Sequence, residues 1–152
     1  MINNTIKQWT LLMNRQINTA VRTYPFGSLE SYDYVVMLSR YDGKYLLSRH
    51  KGRTTWELQG GHIEHGESPD KAAKRELYEE SGADSFDIRP LCDYCGEEPG
   101  RNNFGRGKVY TVEIKHISNL PESEMAEIRL FDTVPDELTY PEITHAILSY
   151  KR

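Results

Sequence analysis

Three glutamates at positions 76, 79 and 80 are the residues of this sequence best suited to chemistry. They lie in the run Arg75-Glu76-Leu77-Tyr78-Glu79-Glu80-Ser81-Gly82. If this run is helical, the three carboxylates fall within one arc of about 100°. Like charges at this spacing cost an isolated helix about 0.2–0.5 kcal/mol per pair, and anions are disfavoured in its second half. A hard divalent cation such as Mg²⁺, which takes carboxylate and phosphate oxygens, would remove this repulsion.

The same charges also have a simpler interpretation as a solvated acidic face, which is common on helices. In that case Arg75 could pair with Glu79 one turn away. The preceding turn favours the cation site instead. Gly60 and Gly61 permit the close backbone approach that a phosphate-facing loop requires. Glu67 lies just before the helix, near its positive end.

The helix that carries these acids has clear start and stop signals. Ser68 is suited to cap its N-terminus, and Pro69 to occupy its first position. Gly82 stands where a left-handed residue commonly ends a helix. The sequence therefore predicts a helix over residues 69–81.

The rest of the chain alternates strand and turn signals, followed by one more helical segment. Strands are expected over Asp33–Ser39, Lys44–Arg49, Trp56–Leu58, Phe86–Tyr94, Val109–His116 and Glu127–Phe131, and a helix over Pro141–Tyr150. The glycine-rich stretch Gly96–Gly107 is interpreted as a long mobile loop, and Ile6–Met13 as an ambiguous segment that could form an edge strand. A mixed sheet with two main helices predicts an α/β class with an α/β/α sandwich.

Composition indicates one soluble globular domain spanning residues 1–152, with 38% hydrophobic and 28% charged residues. No apolar run is long enough to cross a bilayer, and no secretory signal is visible, so a cytoplasmic protein is expected. The net charge of −4 argues against a partner such as long nucleic acid.

The only two cysteines, Cys92 and Cys95, form a C-x-x-C motif. A structural zinc site normally needs four ligands, and no second pair follows. The surrounding residues have strand character, which places positions three apart on opposite faces. We interpret the cysteines as two semi-buried thiols in a reducing compartment.

The segment from Gly61 to Ala83 resembles the signature of the Nudix hydrolase family. That signature is Gly, five residues, Glu, seven residues, Arg-Glu-apolar-any-Glu-Glu-any-Gly-apolar, and such a long fixed spacing is highly specific. The matching residues are Gly61, Glu67, Arg75, Glu76, Leu77, Glu79, Glu80 and Gly82. Ala83 is smaller than the usual aliphatic residue, and Gln59 stands where many relatives have proline, a difference that could alter the stiffness of the loop.

The resemblance implies a Nudix-type sandwich that hydrolyses nucleoside diphosphates linked to another moiety. It implies Mg²⁺ (or Mn²⁺) held by Glu79 and Glu80, with Glu76 as a further ligand or the general base. Gly61 would offer its carbonyl to a metal. Arg75 would orient a glutamate, and Glu67 would support the metal shell. Relatives often recruit another acid, for which Glu124 is the candidate and Glu127 the competitor, although a solvated loop acid is the simpler interpretation of both.

The substrate is left open by the sequence. A compact chain resembles the MutT-like branch, which removes nucleoside triphosphates, including oxidised ones. Arg101, Phe104 and Arg106 are candidate substrate-binding residues. Tyr45, Trp56, Tyr94 and Tyr110 could stack on a base, although core packing is their commoner role. The alternatives are hydrolysis of an RNA 5′ end or a nucleotide sugar, and a non-catalytic nucleotide-binding regulator. A homodimer is compatible with the sequence, but no residue in it establishes one.

Overall fold

The computed structural model describes residues 20–98 and 101–150, and the side chains of residues 21–96 and 105–150. Two helices and seven strands are present in these ranges. The elements are β1 Ala20–Pro25, β2 Tyr34–Tyr41, β3 Lys44–His50, β4 Gln59–His62, α1 Pro69–Ser81, β5 Ala83–Glu98, β6 Arg101–Ile117, β7 Met125–Phe131 and α2 Pro141–Leu148. Neither helix is long and apolar enough to cross a membrane.

The seven strands form one mixed sheet in the order β1-β5-β6-β2-β3-β7, with β4 added against β2. Strands β2 and β6 are parallel, and every other pairing is antiparallel. Near the β2–β3 turn, Arg40 pairs with Tyr45. Further along, β4 takes the place of β3, and Met37 of β2 pairs with Gln59. Strands β2 and β3 therefore separate like a fork, and β4 fills the opening.

Alternating side chains bury the two faces of the sheet under different helices. On one face, Val35 and Leu46 pack with Leu77 of α1 in a fully buried cluster. On the other face, Leu47 packs with Ile147 of α2. The two-residue period of a strand explains why neighbours such as Leu46 and Leu47 belong to opposite layers. The predicted α/β/α sandwich is confirmed.

Helix α1 begins and ends as the sequence predicts. The Ser68 side chain accepts a hydrogen bond from the backbone N–H of Lys71, and Pro69 opens the helix. Gly82 closes it in the left-handed conformation, with φ of 77°. A Cβ on Gly82 would lie only 2.8 Å from the carbonyl oxygen of Asn119, so both its dihedral angles and its surroundings favour glycine.

The prediction of a loop over Gly96–Gly107 is wrong. Strands β5 and β6 continue through this stretch as a long hairpin, in which Gly96 pairs with Phe104 and Glu98 pairs with Arg101. The register shifts between Cys95 and Gly96 and again between Gly96 and Glu98. Gly96 and Gly105 lie at these shifts, and Gly105 has φ of 73°, so they suit β-bulges, where an extra residue is accommodated without ending the ladder.

Two further strands differ from the predictions. The strand expected over Trp56–Leu58 lies instead at Gln59–His62, because the earlier residues make only isolated bridges, such as Ser48 with Glu57. Strand β1 was not predicted at all, and it pairs with β5 at the edge of the sheet. The segment Ile6–Met13 lies outside the described residues.

Both cysteine thiols are buried, and they are not joined by a disulfide. Cys92 is fully inaccessible, and burial raises the pKa of its thiol to about 11. Cys92 lies in the apolar cluster beneath α2. It therefore behaves as a core residue, and it is more completely buried than the sequence suggested.

Candidate active site

Glu80 is held by strand β4, because the two glycines that the sequence placed in a turn lie in this strand and pair with β2. The backbone N–H of Gly60 donates a 2.7 Å hydrogen bond to Oε1 of Glu80. The side chain is only 7% exposed. A Cβ on Gly60 would lie 2.5 Å from the carbonyl oxygen of Val35, so only glycine allows the strand to come this close. One carboxylate oxygen of Glu80 is thus fixed while the second has no partner among the described residues.

Arg75 joins the start of the motif to its helix. Its Nε and Nη2 atoms each lie 2.8 Å from an oxygen of Glu67, forming a bidentate pair. Its Nη1 donates to Glu76 at 2.8 Å and lies 3.4 Å from Glu79. Nη2 also reaches the carbonyl oxygen of His62. The guanidinium is committed to orienting glutamates and backbone, as the rigid fork of arginine allows.

The charge of Arg75 acts differently on its two nearest carboxylates. Its hydrogen bonds lower the pKa of Glu67 to about 2. Glu76 is half-buried, and its desolvation raises its pKa despite the hydrogen bond from Arg75. Glu67 therefore stays ionised as the anchor of Arg75, whereas Glu76 retains basicity.

The carboxylate of Glu76 lies directly against the backbone of Gly61. A Cβ placed on Gly61 would overlap both carboxylate oxygens of Glu76. The second glycine of the pair is therefore required for space rather than for a special dihedral angle. Gly60 and Gly61 of β4 therefore contact two of the three acids of α1, Glu80 and Glu76.

Five glutamates lie close enough for their charges to influence one another. Burial raises the pKa of Glu80 to about 9, and the charges of Glu76, Glu57 and Glu124 add to this effect. Glu79 and Glu124 likewise raise the pKa of Glu76. Glu124 comes from the segment before β7. Its side chain is 84% exposed, and Oε2 lies 3.8 Å from Nε2 of His50. Glu124 therefore stays a candidate for the additional acid, through its charge on Glu76 and Glu80.

Glu127, the competing candidate for the additional acid, is already paired with two arginines. Its carboxylate accepts a 2.9 Å hydrogen bond from Nε of Arg49 and lies 3.5 Å from Arg129. These arginines lower the pKa of Glu127, so its carboxylate is ionised and already paired.

The donor set fits a hard divalent cation, although no preformed cage is present. In the described part of the chain, no three His, Cys, Asp or Glu side chains stand in ligand geometry. Arg75 holds Glu76, and Gly60 holds one oxygen of Glu80. However, a carboxylate whose pKa reaches about 9 through burial and like charge is one that a cation would stabilise strongly in its ionised form. Oxygen-only donors of this kind match Mg²⁺ or Mn²⁺.

The pattern of a NUDIX domain matches residues 31–143 of this sequence. The chain belongs to the Nudix hydrolase family. The match spans all of the site described above, and the predicted family is confirmed.

Comparison with individual Nudix proteins supports the same assignment. The Bacillus subtilis protein YtkD, whose name proposes an 8-oxo-dGTP diphosphatase, is 29% identical over 118 residues, which cover 76% of this chain and 70% of that protein. An RNA pyrophosphohydrolase of Photorhabdus laumondii is 39% identical over 56 residues, covering 37% of this chain and only 32% of that protein. The solved Bacillus subtilis pyrophosphohydrolase BsRppH has a TM-score of 0.70 at 23% identity, covering 86% of this chain and 90% of that one. The similarity to BsRppH shows that the two proteins share a fold.

Of the three predicted substrate-binding residues, only Arg106 has a side chain among the described ones. Arg106 precedes Gly107, which pairs with Tyr34 of β2, and Tyr34 in turn pairs with His62 of β4. Its Nη1 donates to the hydroxyl of Ser31 at 2.7 Å, and it does not contact the motif glutamates in the described residues. The side chains of Arg101 and Phe104 lie outside the described ones.

The aromatic residues considered for base stacking mostly fill the core of the Nudix domain. Trp56, Tyr94 and Tyr110 are buried, with 7%, 4% and 3% exposed. Tyr110 also donates a 2.6 Å hydrogen bond to Asp70 at the start of α1. Tyr45 is half-buried, and the guanidinium of Arg40 lies over its ring. Core packing therefore explains the three buried rings.

Sequence reasoning missed two polar residues beside the Nudix helix, Ser48 and Glu57, and it gave a third, Gln59, a role in loop stiffness only. Glu57 is buried next to the acids and pairs with Arg53 at 3.1 Å. Ser48 and Gln59 are completely buried and bond to each other. A sequence signal existed only for Gln59, which departs from the proline common in the family. Ser48 and Glu57 have no spacing that distinguishes them from ordinary strand residues.

Proposed function

We propose that this protein is a Mg²⁺- or Mn²⁺-dependent pyrophosphohydrolase acting on nucleoside triphosphates, in the manner of the MutT-like branch. The observation that carries the proposal is the arrangement of Glu80. One of its oxygens is fixed by Gly60, the other has no partner among the described residues, and the charges of Glu76 and Glu124 act on it. This is the donor chemistry that a metal bound to a phosphate chain requires.

Each residue of the motif has a role in this proposal. Glu79, Glu80, the Gly61 carbonyl and Glu76 or Glu124 would hold the metal, which when bound polarises the phosphoanhydride and spreads its developing charge. Glu67 and Arg75 act as a brace, because their bidentate pair fixes the loop before α1 relative to the helix.

Glu76 is the proposed general base. Its pKa is raised by burial, so it can accept a proton more readily than an exposed carboxylate. In the reaction, water attacks phosphorus, the P–O bond to the leaving phosphate or nucleotide breaks, and Glu76 takes the proton of the water. The hydrogen bond from Arg75 uses Oε1 of Glu76, which would leave Oε2 to accept the proton.

The choice of a nucleoside triphosphate rests on how far each similarity extends. The similarity to YtkD covers 76% of this chain, including the strands outside the motif. The similarity to the RNA pyrophosphohydrolase covers 37%. A net charge of −4 also favours a small nucleotide over RNA, since RNA binding relies on phosphate contacts by basic residues.

An RNA 5′ end is the second candidate, and one observation favours it. The Photorhabdus RNA pyrophosphohydrolase is the more similar sequence over its shorter match, at 39% identity. A cytoplasmic location and a single domain over residues 1–152 are further parts of the proposal, as is a homodimer among the possible states.

A substrate panel tests this function. Purified protein is incubated with Mg²⁺ and, in parallel, with dGTP, 8-oxo-dGTP, ADP-ribose, a UDP-sugar and 5′-triphosphorylated RNA, and released phosphate and pyrophosphate are measured. We expect pyrophosphate from a nucleoside triphosphate, and loss of the reaction in Glu79→Gln. Preferred hydrolysis of the RNA end, with an affinity that falls steeply with salt, would support the second candidate instead.

A further inference from the structure

Gln59 fills the opening of the fork between β2 and β3, and its side chain is completely buried. Its amide nitrogen lies 3.1 Å from the carbonyl oxygen of Leu46 and 2.9 Å from the hydroxyl of Ser48. Since a backbone carbonyl only accepts hydrogen bonds, the atom facing Leu46 must be the NH₂ group of the amide. Its two hydrogens supply one bond to each partner.

The hydroxyl of Ser48 continues this arrangement toward α1. Because it accepts from Gln59, its single hydrogen remains to donate, and it does so to the backbone carbonyl of Glu80 at 2.8 Å. That carbonyl belongs to the last turn of α1, where helix carbonyls lack intrahelical partners. The hydrogen bonds therefore run in one direction, from Gln59 through Ser48 to Glu80, and every donor hydrogen is used.

Glu80 is thus fixed at two points, one through Ser48 of β3 and one directly by β4. Gln59 holds its backbone through Ser48, and the next residue, Gly60, holds its carboxylate directly. We propose that Gln59 and Ser48 are positioning residues, whose hydrogen-bond relay sets the place of Glu80 and thereby the affinity of the site for its divalent cation. This rests on the proposed function, in which Glu80 is a metal ligand.

The relay explains why glutamine is useful at position 59. Proline, which many relatives have there, is stiff in φ but has no side-chain donor. In this chain the stiffness of proline is replaced by two side-chain hydrogen bonds across the fork. The remaining amide oxygen of Gln59 has no partner among the described residues, and leaving a buried acceptor unpaired has a cost. A residue retained at such a cost suits a functional role rather than maximal stability.

The test measures cation binding directly, without substrate. Mn²⁺ is titrated into the wild-type protein, Ser48→Ala and Gln59→Met, and free Mn²⁺ is followed by electron paramagnetic resonance. Removing interactions that hold a metal ligand in place typically weakens binding 10- to 100-fold, and we expect an increase of about 10-fold in the Kd of each variant. The double variant should bind no more weakly than Ser48→Ala alone, because both changes break the same relay.

Two control variants separate positioning from general destabilisation. Ser39→Ala removes another buried serine hydroxyl of the sheet, one that has no partner among the described residues, and its Kd should match the wild type. Ile147→Val trims the core beneath α2, and should lower the Tm without changing the Kd.

Hydrolysis gives an independent readout. At saturating Mg²⁺, Ser48→Ala and Gln59→Met should regain kcat within about twofold, while the Mg²⁺ concentration for half-activation rises in proportion to the Kd. Wild-type Mn²⁺ affinity in both folded variants would overturn the relay, even if the wild-type enzyme hydrolyses nucleotides. Mn²⁺ binding by the wild type without hydrolysis of any nucleotide would overturn the proposed function. The relay would then be judged by the Kd values of the two variants alone. No Mn²⁺ binding at all would overturn both.

Discussion

The backbone N–H of Gly60 lies 2.7 Å from Oε1 of Glu80, which joins strand β4 to the last turn of helix α1. The contact exists because a glycine lets the strand approach the helix, and because burial leaves the carboxylate few other donors. It brings an acid from the C-terminal end of a helix, where the macrodipole disfavours it, into a fixed place next to other acids. The energetic cost is consistent with a site that binds a cation.

Gly61→Ala should reduce activity without unfolding the protein. The added methyl group would occupy the place of the Glu76 carboxylate, and displacing a reacting group by about 1 Å can reduce kcat about 100-fold. Steady-state kinetics on the best nucleotide, with the Tm recorded in parallel, would measure this. Gly52→Ala is the matched control, because its Cβ would meet nothing closer than 3.6 Å. Wild-type kcat in Gly61→Ala would show that the position of Glu76 is not critical.

Arg75→Lys should retain the positive charge but lose the bidentate pair that holds the loop before α1 against the helix. Lysine cannot reproduce the bidentate pair with Glu67 while also reaching Glu76. We expect a decrease in kcat/KM of about 10-fold or more, with a higher Mg²⁺ requirement. Lys74→Ala, which removes the neighbouring exposed charge, should leave both parameters near wild type. Full activity of Arg75→Lys would indicate that charge alone is sufficient.

Asp93→Ala should strongly destabilise the fold. This completely buried carboxylate accepts hydrogen bonds from the backbone N–H groups of Gly27, Ser28 and Leu29 and from the hydroxyl of Tyr32. Losing bonds to a buried charged group should lower the free energy of unfolding by about 3 kcal/mol.

Urea unfolding of Asp93→Ala would measure that loss. Asp87→Ala is the comparison. Within the described residues the side chain of Asp87 forms only a surface pair with Lys115, at 3.2 Å, so its loss should change the free energy of unfolding by no more than about 0.5 kcal/mol. Equal effects of the two substitutions would contradict the role of Asp93 as the anchor of the segment after β1.

Glu67 should make stability sensitive to acid. The hydrogen bonds from Arg75 lower its folded pKa from 4.5 to about 2. A lowered pKa contributes stability that is present above pH 4.5 and is lost as the pH falls toward 2, because the unfolded state takes up the proton first. Glu67→Gln should therefore reduce the slope of unfolding free energy against pH in this window. Glu30→Gln, at an exposed position, should keep the wild-type slope, and an unchanged slope in Glu67→Gln would refute the pairing.

The sequence predicted the elements whose signals are local. Ser68, Pro69 and Gly82 fix the ends of α1 by backbone chemistry alone, and the structure has them there. The spacing of the motif likewise predicted which acids would share a face. These features depend on neighbours within a few residues, so one sequence is sufficient to find them.

The errors occurred where pairing between distant segments decides the structure. Gly105 and Gly107 favour a loop when considered locally, but the ladder between β5 and β6 continues through them with bulges. The positions of Ser48 and Gln59 depend on the fork between β2 and β3, which brings together residues 11 apart. Nothing in local propensity reports such register, since strand pairing is set by tertiary contacts.

Hydrolysis of a nucleoside triphosphate by the wild type and by Glu80→Gln, across a titration of Mg²⁺, is the most direct test of the central claim. Glutamine can still accept the hydrogen bond from Gly60 but lacks the charge that would bind the cation. We expect wild-type turnover to stop in EDTA and return with Mg²⁺, and Glu80→Gln to retain less than about 1% of wild-type kcat/KM while remaining folded. Turnover that persists in EDTA, or wild-type kcat/KM in Glu80→Gln, would contradict the account.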